Sequence, residues 1–345
     1  MENVFDYTSK ETFDLENRNL FDPFFHFGAH QSELSNFGDF IQINAAEKDI
    51  LLINDHGIIR AFENSCPHRG CRLIDQQVGN VDKVICPYHG WQFQEGKVFI
   101  PSLKDFENAA IEAVTLHYYS VELCGNFIFF SPNPQHSLKE QIGIFWDDLE
   151  MMSYSIDQKI DQNPQPFEAN WKISLENAIE SYHVSKIHAK TLEPLLLDTR
   201  DIRYDANNSF LVAPIGNAKI NKKLMQSNEL FQRKYVNNNY FSLYLFPYSM
   251  ISSTYGYSYA FQTFFPKAPT STAFINHTYS TRTAYPDLLN GSVAINHKIF
   301  IEDADICALT QQGASTRIEQ KDYIYSKNEA RIIHFHHSYH KALKC

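Results

Sequence analysis

Two short loops, each pairing a cysteine with a histidine, constrain this chain more than any other feature. The sequence reads CPHRGC from Cys66 and CPYHGW from Cys86. Each loop thus offers one thiolate and one imidazole, the latter from His68 and His89. Ordinary turn residues have no reason to repeat Cys, Pro, His and Gly in this order. Two thiolates and two imidazoles in matched loops therefore predict a metal centre.

Zinc and an iron–sulfur cluster both accept two sulfur and two nitrogen ligands. In the common zinc finger the cysteines come from one loop and the histidines from a helix, whereas here each loop supplies one of each. In a Rieske [2Fe–2S] cluster, two cysteines bind one iron and two histidines bind the other. The arrangement therefore favours a Rieske cluster over zinc. Its predicted ligands are Cys66, His68, Cys86 and His89.

The flanks of both loops carry a family resemblance. Residues 58–71 (IIRAFENSCPHRGC) and 84–97 (VICPYHGWQFQEGK) closely resemble the Rieske domain of ring-hydroxylating oxygenase α subunits. The Rieske proteins of respiratory and photosynthetic cytochrome complexes add a disulfide between their cluster loops. Cys71 could supply one half of it, but the matching position is Tyr88, so the soluble oxygenase class is favoured. The spare cysteines are then expected to be buried free thiols. They are Cys71, Cys124, Cys307 and Cys345.

The composition is that of an ordinary globular protein. The 345 residues suffice for two cores, and 43% of them are hydrophobic. A net charge of −10 without any Lys/Arg run argues against nucleic acid as a partner. No apolar run is long enough to span a bilayer, and the acidic residues 1–18 do not resemble a secretory signal. Cysteine usage predicts a reducing cytoplasm. Because no GxGxxG or Walker loop is present, a separate reductase is expected to supply electrons from NAD(P)H.

The predicted fold class is α+β, with three parts. Residues 24–132 contain short alternating runs between turns, which predict an all-β Rieske domain. Residues 133–345 mix helical and strand patterns and predict a catalytic domain with an antiparallel sheet. The family resemblance implies a helix-grip, START-like arrangement for this domain. Residues 1–23 are predicted to pack on it.

The hydrophobic periodicity predicts individual elements. Predicted strands lie at 39–45, 49–53, 83–87, 125–130, within 240–265, and at 272–282. Predicted helices lie at 171–188, 295–312 and 328–344. Residues 200–238, rich in Asn and Lys, show no clear periodicity and are predicted to contain loops. The histidines of HFHHSYH (334–340) lack nearby carboxylates in sequence, which favours a structural role for them.

The stretch 170–192, NWKISLENAIESYHVSKIHAKTL, carries a second set of metal-binding side chains. His183 and His188 with one carboxylate would form the facial triad of non-heme Fe(II) oxygenases, which leaves positions open for O2. Five residues turn a regular helix by about 500°, so the two rings would point about 140° apart. The helix is therefore predicted to distort or end between Val184 and His188. A polar helix with two ordinary histidines is the alternative.

The same stretch resembles the oxygenase family a second time. Its N-W-K, E-N, E-x2-H-x4-H and H-x2-T-L elements follow the family's order. The resemblance implies that His183 and His188 bind iron, and that Asn177 and Glu180 act beside them. Glu180 precedes His183 by one helical turn, so the two side chains are predicted to share a face. One carboxylate oxygen of Glu180 would then remain free for a cluster histidine of a neighbouring subunit.

The family takes its third iron ligand from a late helix with an E-D pair followed by Gln-x-Gly. In this chain the corresponding stretch is EDADICALTQQG, which offers Glu302, Asp303 and Asp305. On a helical wheel, Asp303 lies closest to the inward stripe, Asp305 slightly farther, and Glu302 nearly opposite. That stripe consists of Phe300, Ala304, Ala308 and Gln311. Asp303 is therefore predicted to be the third ligand.

The resemblance implies a terminal oxygenase that uses O2 and electrons from an external flavin or iron–sulfur reductase, or a ferredoxin. It also implies a head-to-tail homotrimer, in which an acidic residue connects one subunit's cluster to the next subunit's iron. Many ring-dihydroxylating members carry Asp where this chain has Glu180. A Glu there is similar to oxygenases acting on choline, carnitine and betaine, so a monooxygenase or N-dealkylase is predicted. The aromatic residues of 240–265 would form a cage for a quaternary ammonium group, or simply a sheet core.

Three other functions stay open. An aromatic-ring hydroxylating dioxygenase would share both metal sites. A Rieske electron carrier would hold the cluster without a second iron. A zinc-stabilised binding module would be colourless.

Overall fold

The computed structural model describes residues 6–106, 114–197, 201–227, 234–281, 286–316 and 323–344. The strands of this part are β1 (His26–His30), β2 (Asp39–Ala45), β3 (Lys48–Asp55), β4 (Ile58–Glu63), β5 (Val78–Asn80), β6 (Val84–Ile85), β7 (Gln92–Gln94), β8 (Lys97–Phe99), β9 (Tyr118–Cys124), β10 (Phe127–Ser131), β11 (Gln158–Phe167), β12 (Asp201–Asp205), β13 (Asn208–Ala213), β14 (Tyr240–Leu245), β15 (Ser249–Thr254), β16 (Ser258–Ala268) and β17 (Ser271–Ser280). Its α-helices are Lys10–Glu16, Leu138–Ile142, Trp146–Tyr154, Trp171–Ile179, Val184–Ile187, Ala218–Gln226, Pro286–Thr316 and Ala330–Leu343.

Strands β1–β10 form one seven-stranded antiparallel sheet, in the order β1-β10-β9-β4-β3-β2-β5, and a small sheet β6-β7-β8. The alternation of DFIQINA places β2 at Asp39–Ala45, as predicted. The two-residue turn after it, Ala46 and Glu47, has φ of 51° and 62°. Positive φ at both turn residues suits a tight hairpin, because this turn follows the twist of the strands. The predicted all-β part is therefore confirmed.

Strands β11–β17 form a second seven-stranded antiparallel sheet, in the order β11-β17-β16-β15-β14-β13-β12. Aromatic and β-branched residues of 240–265 form three of its strands, as predicted. Strand β11 contains Pro164 and Pro166, which an edge strand tolerates because one of its sides needs no hydrogen bonds. The long helix Pro286–Thr316 packs on β11, which completes the α+β arrangement that the sequence predicts.

Residues 200–238, for which the sequence predicts loops but gives no further pattern, also contain regular structure. This region contains β12, β13 and the helix Ala218–Gln226. Strand β12 lies at the sheet edge with its side chains largely exposed, and it therefore lacks a clear alternation of apolar residues. Strand β13 is buried but short, with a single apolar run between Asn and Lys residues.

The prediction of one helix over 171–188 is wrong. The helix Trp171–Ile179 ends before Glu180, whose φ of −111° and ψ of 177° are extended. A separate short helix, Val184–Ile187, follows. Tyr182, which would continue that helix, is 63% exposed. The helix thus breaks before both histidines, and the short helix that follows ends at Ile187, between Val184 and His188 as predicted.

The first helices of the chain anchor the helix that carries the site. Glu16 is fully buried and accepts hydrogen bonds from the Nζ of Lys172, the indole of Trp171 and the hydroxyl of Tyr339. Lys172 is also fully buried. The charges of Glu16 and Lys172 are therefore stabilised by each other and by protein hydrogen bonds, and hardly by water. One apolar core joins the N-terminal helices, the first sheet and the second sheet. None of the helices in the described ranges is long and apolar enough to cross a membrane.

We expect Glu16→Ala to lower the free energy of unfolding by about 3–5 kcal/mol, because it leaves the ammonium of Lys172 buried without its carboxylate. Chemical denaturation followed by circular dichroism measures this loss. Asp14→Ala is the matched control, since its ion pair with Lys10 is exposed and should contribute little. Equal effects of both variants would contradict the assigned weight of the buried pair.

Candidate metal centres and substrate cavity

The two cluster loops have the same backbone hydrogen bonds. In the first, the N–H of Cys66 donates to the carbonyl of Cys71 at 2.8 Å, and Gly70 donates back to Cys66 at 2.8 Å. In the second, Cys86 donates to the carbonyl of Trp91 at 2.8 Å, and Gly90 to Cys86 at 3.0 Å. Both glycines have positive φ, 69° and 73°, which explains why each loop needs one. The repeated motif therefore builds two equivalent turns.

These turns bring the four predicted cluster residues to one tip. The thiols of Cys66 and Cys86 are buried, and the rings of His68 and His89 lie 4.6 Å apart between centroids. His68 stacks on the buried Trp91, with centroids 4.7 Å apart. Its Nδ1 is buried and has no hydrogen-bond partner in the part of the chain that the structure describes. An orphaned imidazole nitrogen beside two thiols fits a metal ligand, so the donor set suits a [2Fe–2S] cluster.

Backbone donors favour the thiolate that such a cluster requires. Burial opposes ionisation of Cys86, but the N–H groups of Tyr88 and His89 lower its pKa below the usual value. Burial raises the pKa of Cys66 to about 11, partly offset by the N–H groups of His68 and Arg69. The two thiols share one site, and each faces a pair of backbone N–H groups.

The spare cysteines agree only partly with expectation. All cysteines in the described ranges are free thiols, and Cys124 and Cys307 are buried. Cys71 is only half-buried and faces Tyr88, so no disulfide connects the cluster loops. Cys345 lies outside the described residues.

The second group consists of His183, His188 and Asp303, whose candidate ligand atoms all lie within 4.8 Å of one another. The Nε2 of His188 lies 3.0 Å from Asp303 Oδ1, and the Nε2 of His183 lies 3.7 Å from the same oxygen. The helix break at Glu180 makes this possible, because His183 begins the short helix Val184–Ile187 and His188 ends it. Two imidazoles and a carboxylate on one side of a point suit a facial iron triad.

The three candidate carboxylates have different surroundings. Asp303 is buried with the triad and accepts a hydrogen bond of 2.7 Å from Nδ2 of Asn177. Asp305 is exposed. Glu302, predicted to face nearly away from the inward stripe, instead accepts from Nδ1 of His188 at 2.8 Å. Asp303 is thus the carboxylate that the structure brings to both histidines.

Glu302 also orients a metal-binding histidine, a role that the sequence pattern does not predict. Its second contact is Thr191 Oγ1, at 2.8 Å. Burial raises the pKa of Glu302, but the hydrogen bonds from His188 and Thr191 lower it overall. A carboxylate on Nδ1 fixes the histidine tautomer so that Nε2 faces the metal. The one sequence signal for this orienting role is the E-D pair, which places a second carboxylate directly beside the predicted ligand.

Glu180 contacts His183 by a different route from the one predicted. It lies in extended backbone, not one helical turn before His183. One carboxylate oxygen nevertheless meets His183 Nδ1, and the other accepts the backbone N–H of Tyr182. The second oxygen is therefore already hydrogen-bonded, contrary to expectation, and retains one lone pair for a further donor.

A cavity of about 300 Å³ lies beside the triad, at the lower end of the roughly 300–1,000 Å³ typical of small-molecule sites. His183, His188 and Asp303 line it together with Asn177 and Glu180. Apolar lining residues include Ala178, Leu192, Met250, Ile299 and Phe300. Polar lining residues include Ser242, Ser252, Gln262 and Arg331.

Most aromatic residues of 240–265, all within the described residues, form a sheet core and not a cage. Only Tyr240 and Tyr257 of this segment line the cavity. The others lie in the apolar cores. The C-terminal histidines have structural contacts: His336 bonds to Glu176 at 3.0 Å, and the ring of His334 packs on Tyr204.

Comparison with known proteins gives two family matches. Residues 149–344 match the ring hydroxylating alpha subunit (catalytic domain), and residues 25–106 match the Rieske [2Fe-2S] domain. The resemblance seen in the sequence is thereby confirmed.

Curated relatives are similar at lower coverage. The glycine betaine monooxygenase oxygenase subunit of Chromohalobacter salexigens is 31% identical over 203 residues, which cover 57% of this chain and 45% of the relative. The anthranilate 1,2-dioxygenase large subunit of Acinetobacter baylyi is 27% identical over 201 residues, which cover 53% of this chain and 41% of the relative. The chain thus matches slightly less than half the length of these relatives.

A crystal structure of the quaternary ammonium Rieske monooxygenase CntA has the same fold. It superposes with a TM-score of 0.85 at 20% identity, covering 97% of this chain and 93% of that chain.

Proposed function

We infer that this chain, which belongs to the family of ring-hydroxylating alpha subunits, is a terminal oxygenase that hydroxylates or oxidatively dealkylates a small organic molecule with O2. The chain carries a Rieske [2Fe–2S] cluster and a mononuclear iron. The observation that carries the proposal is the placement of His183, His188 and Asp303 together on the wall of one cavity. An electron carrier without oxygenase activity has no need of such a cavity.

When bound, the cluster supplies single electrons and the mononuclear iron reduces O2. The chain's own residues hold the ligands in place. Glu302 fixes the ring of His188, Asn177 fixes the carboxylate of Asp303, and Glu180 meets the outer nitrogen of His183. Apolar side chains of the cavity would hold a substrate near the open metal positions and exclude bulk water from them.

We propose three parts of the chain: residues 24–132 hold the cluster, residues 133–345 hold the mononuclear iron, and residues 1–23 pack on this second domain. We propose that an external NAD(P)H-dependent reductase or ferredoxin reduces the cluster at its tip, where His89 is exposed. The same exposure would let His89 meet a second copy of the chain in a head-to-tail homotrimer. A cytoplasmic location remains a prediction from the cysteine usage.

The finer proposal is a substrate with a quaternary ammonium group. Glu180, the glycine betaine relative and the aromatic rings of Tyr240, Tyr257 and Phe300 at the cavity support it. The second candidate is an aromatic-ring dioxygenase, which the anthranilate relative and the apolar wall support.

The test is a substrate screen with the purified protein, NADH and a generic reductase, following O2 consumption and 18O in the product. We expect 18O in at least one product that depends on added protein and iron. Consumption of NADH without any oxygenated product, across both quaternary amines and aromatic acids, would contradict the proposal.

A further inference from the structure

A buried arginine that belongs to neither set of candidate metal ligands lines the substrate cavity. Arg331 lies in the C-terminal helix Ala330–Leu343 and is 2% exposed. Its side chain reaches under strands β13 and β14 and forms part of the cavity wall with Ser242. The sequence pattern does not predict this position for Arg331, because an arginine in a polar helix is ordinarily at the surface.

The guanidinium is held by neutral groups. Its Nε donates to Ser209 Oγ at 2.9 Å, and Nη1 donates to Ser242 Oγ at 2.7 Å. Its Nη2 donates to the carbonyls of the same two residues, at 3.1 and 3.4 Å. A guanidinium has five N–H groups, so these four bonds leave one N–H of Nη1 over. Within the described residues no acceptor for that N–H is found, although Arg331 lines the cavity.

The positive charge also lacks a counter-charge. No carboxylate of the described residues lies within salt-bridge distance of Arg331, whereas the other fully buried cation, Lys172, has Glu16. Burial lowers the pKa of Arg331 to about 10, with Tyr240, Tyr204 and Tyr244 opposing the shift, so the group remains charged at neutral pH. Burying a charge without a partner is costly, and such charges are ordinarily paired.

Arg331 and the iron triad belong to one space. Both line the same cavity of about 300 Å³. Tyr240 also lines the cavity, and its phenol interacts electrostatically with both Arg331 and Asp303. Burial raises the pKa of Tyr240, Arg331 opposes this shift, and Asp303 adds to it. A small molecule held at Arg331 can therefore extend toward the metal. Met250 on β15 and Ala260 on β16 also line this cavity and give it apolar surface.

We propose that Arg331 is the substrate-binding cation of this cavity and that the substrate carries a carboxylate, which Arg331 binds at the end remote from the iron. This rests on the function proposed above and specifies its substrate class: zwitterions such as betaines, or aromatic acids, and not choline or neutral arenes. A carboxylate accepts the spare Nη1–H and neutralises the buried charge. The reacting carbon then lies at the other end of a molecule of fixed orientation.

The experiment measures binding of matched ligand pairs to the iron-loaded protein by calorimetry without O2. The pairs are glycine betaine with choline, and benzoate with benzyl alcohol, each differing mainly in the carboxylate. For at least one pair we expect the acid to bind at least about tenfold more tightly than the alcohol, as charge-assisted hydrogen bonds usually require. Arg331→Met should bring this ratio close to one.

Two further variants keep the test decisive. Arg331→Lys retains a cation without the paired N–H donors and should lower the ratio of acid to alcohol affinity at least threefold. This variant provides the test if Arg331→Met fails to fold. Arg203→Met removes an exposed arginine outside the cavity and should leave the ratio unchanged. Alcohols that bind as tightly as their acids, no binding of any acid, or an unchanged ratio in both Arg331 variants would overturn the proposal.

Binding without turnover separates this inference from the proposed function. A preference for acids that depends on Arg331, in a protein that oxygenates nothing, would uphold the cation's role and reject the oxygenase. Oxygenation of substrates with no acid preference would do the reverse.

Discussion

Asp303→Ala is expected to lose the mononuclear iron and all product formation while the protein keeps the red-brown colour of its cluster. Asp303 is the carboxylate within reach of both His183 and His188, and Asn177 holds it there through a hydrogen bond of 2.7 Å. Removing one of three protein ligands leaves two imidazoles, which hold Fe(II) far less firmly. Iron analysis after gel filtration, with the absorption spectrum as an internal standard for the cluster, measures the loss.

Asp305→Ala is the matched control for that experiment. It lies on the same helix, two residues away, and its side chain is exposed. We expect this variant to retain its mononuclear iron and its turnover. The reverse pattern, with iron lost from Asp305→Ala and kept in Asp303→Ala, would show that the wrong carboxylate has been assigned.

Glu180→Gln is expected to keep both metals and substrate affinity but to slow reoxidation of the reduced cluster by orders of magnitude in a single turnover. Glu180 touches the outer nitrogen of His183, and its other oxygen retains one lone pair after accepting the N–H of Tyr182. In the proposed trimer that lone pair receives an imidazole N–H of the adjacent subunit's cluster, from His68 or His89. An amide cannot accept from both sides through two carboxylate oxygens, so the connection is broken.

Stopped-flow absorption of the cluster, with substrate and O2 added to the reduced protein, measures this rate. Glu168→Gln is the control, since Glu168 is an exposed carboxylate that precedes the helix Trp171–Ile179, whereas Glu180 follows it. Wild-type reoxidation rates in Glu180→Gln, or turnover by a wild-type monomer, would contradict the proposed bridge.

Much of the fold could be predicted because its signals are local. The alternation in β2, the Cys-Pro and His-Gly loops and the periodicity of the long helix each depend on a few adjacent residues. The choice of Asp303 over Asp305 came from the inward stripe, and Phe300 and Gln311 of that stripe are indeed buried. Local patterning therefore placed Asp303 on the inward side of its helix, where the structure also has it.

What the sequence missed depends on contacts between distant residues. The helix ends at Ile179 without Gly or Pro, and Glu180 is instead held extended by its contacts with Tyr182 and His183. Strand β11 contains two prolines and is stabilised by pairing with β17. The guanidinium of Arg331 donates hydrogen bonds to hydroxyl and carbonyl groups about 90 and 120 residues away. Periodicity cannot report such pairings.

The central claim is that one chain holds two different iron sites. Metal analysis of the purified protein, combined with its absorption spectrum, tests it most directly. The account predicts a red-brown protein with about three iron atoms per chain, two in the cluster and one at His183, His188 and Asp303. A colourless protein that contains zinc, or a coloured one that never binds more than about two iron atoms per chain, would contradict it.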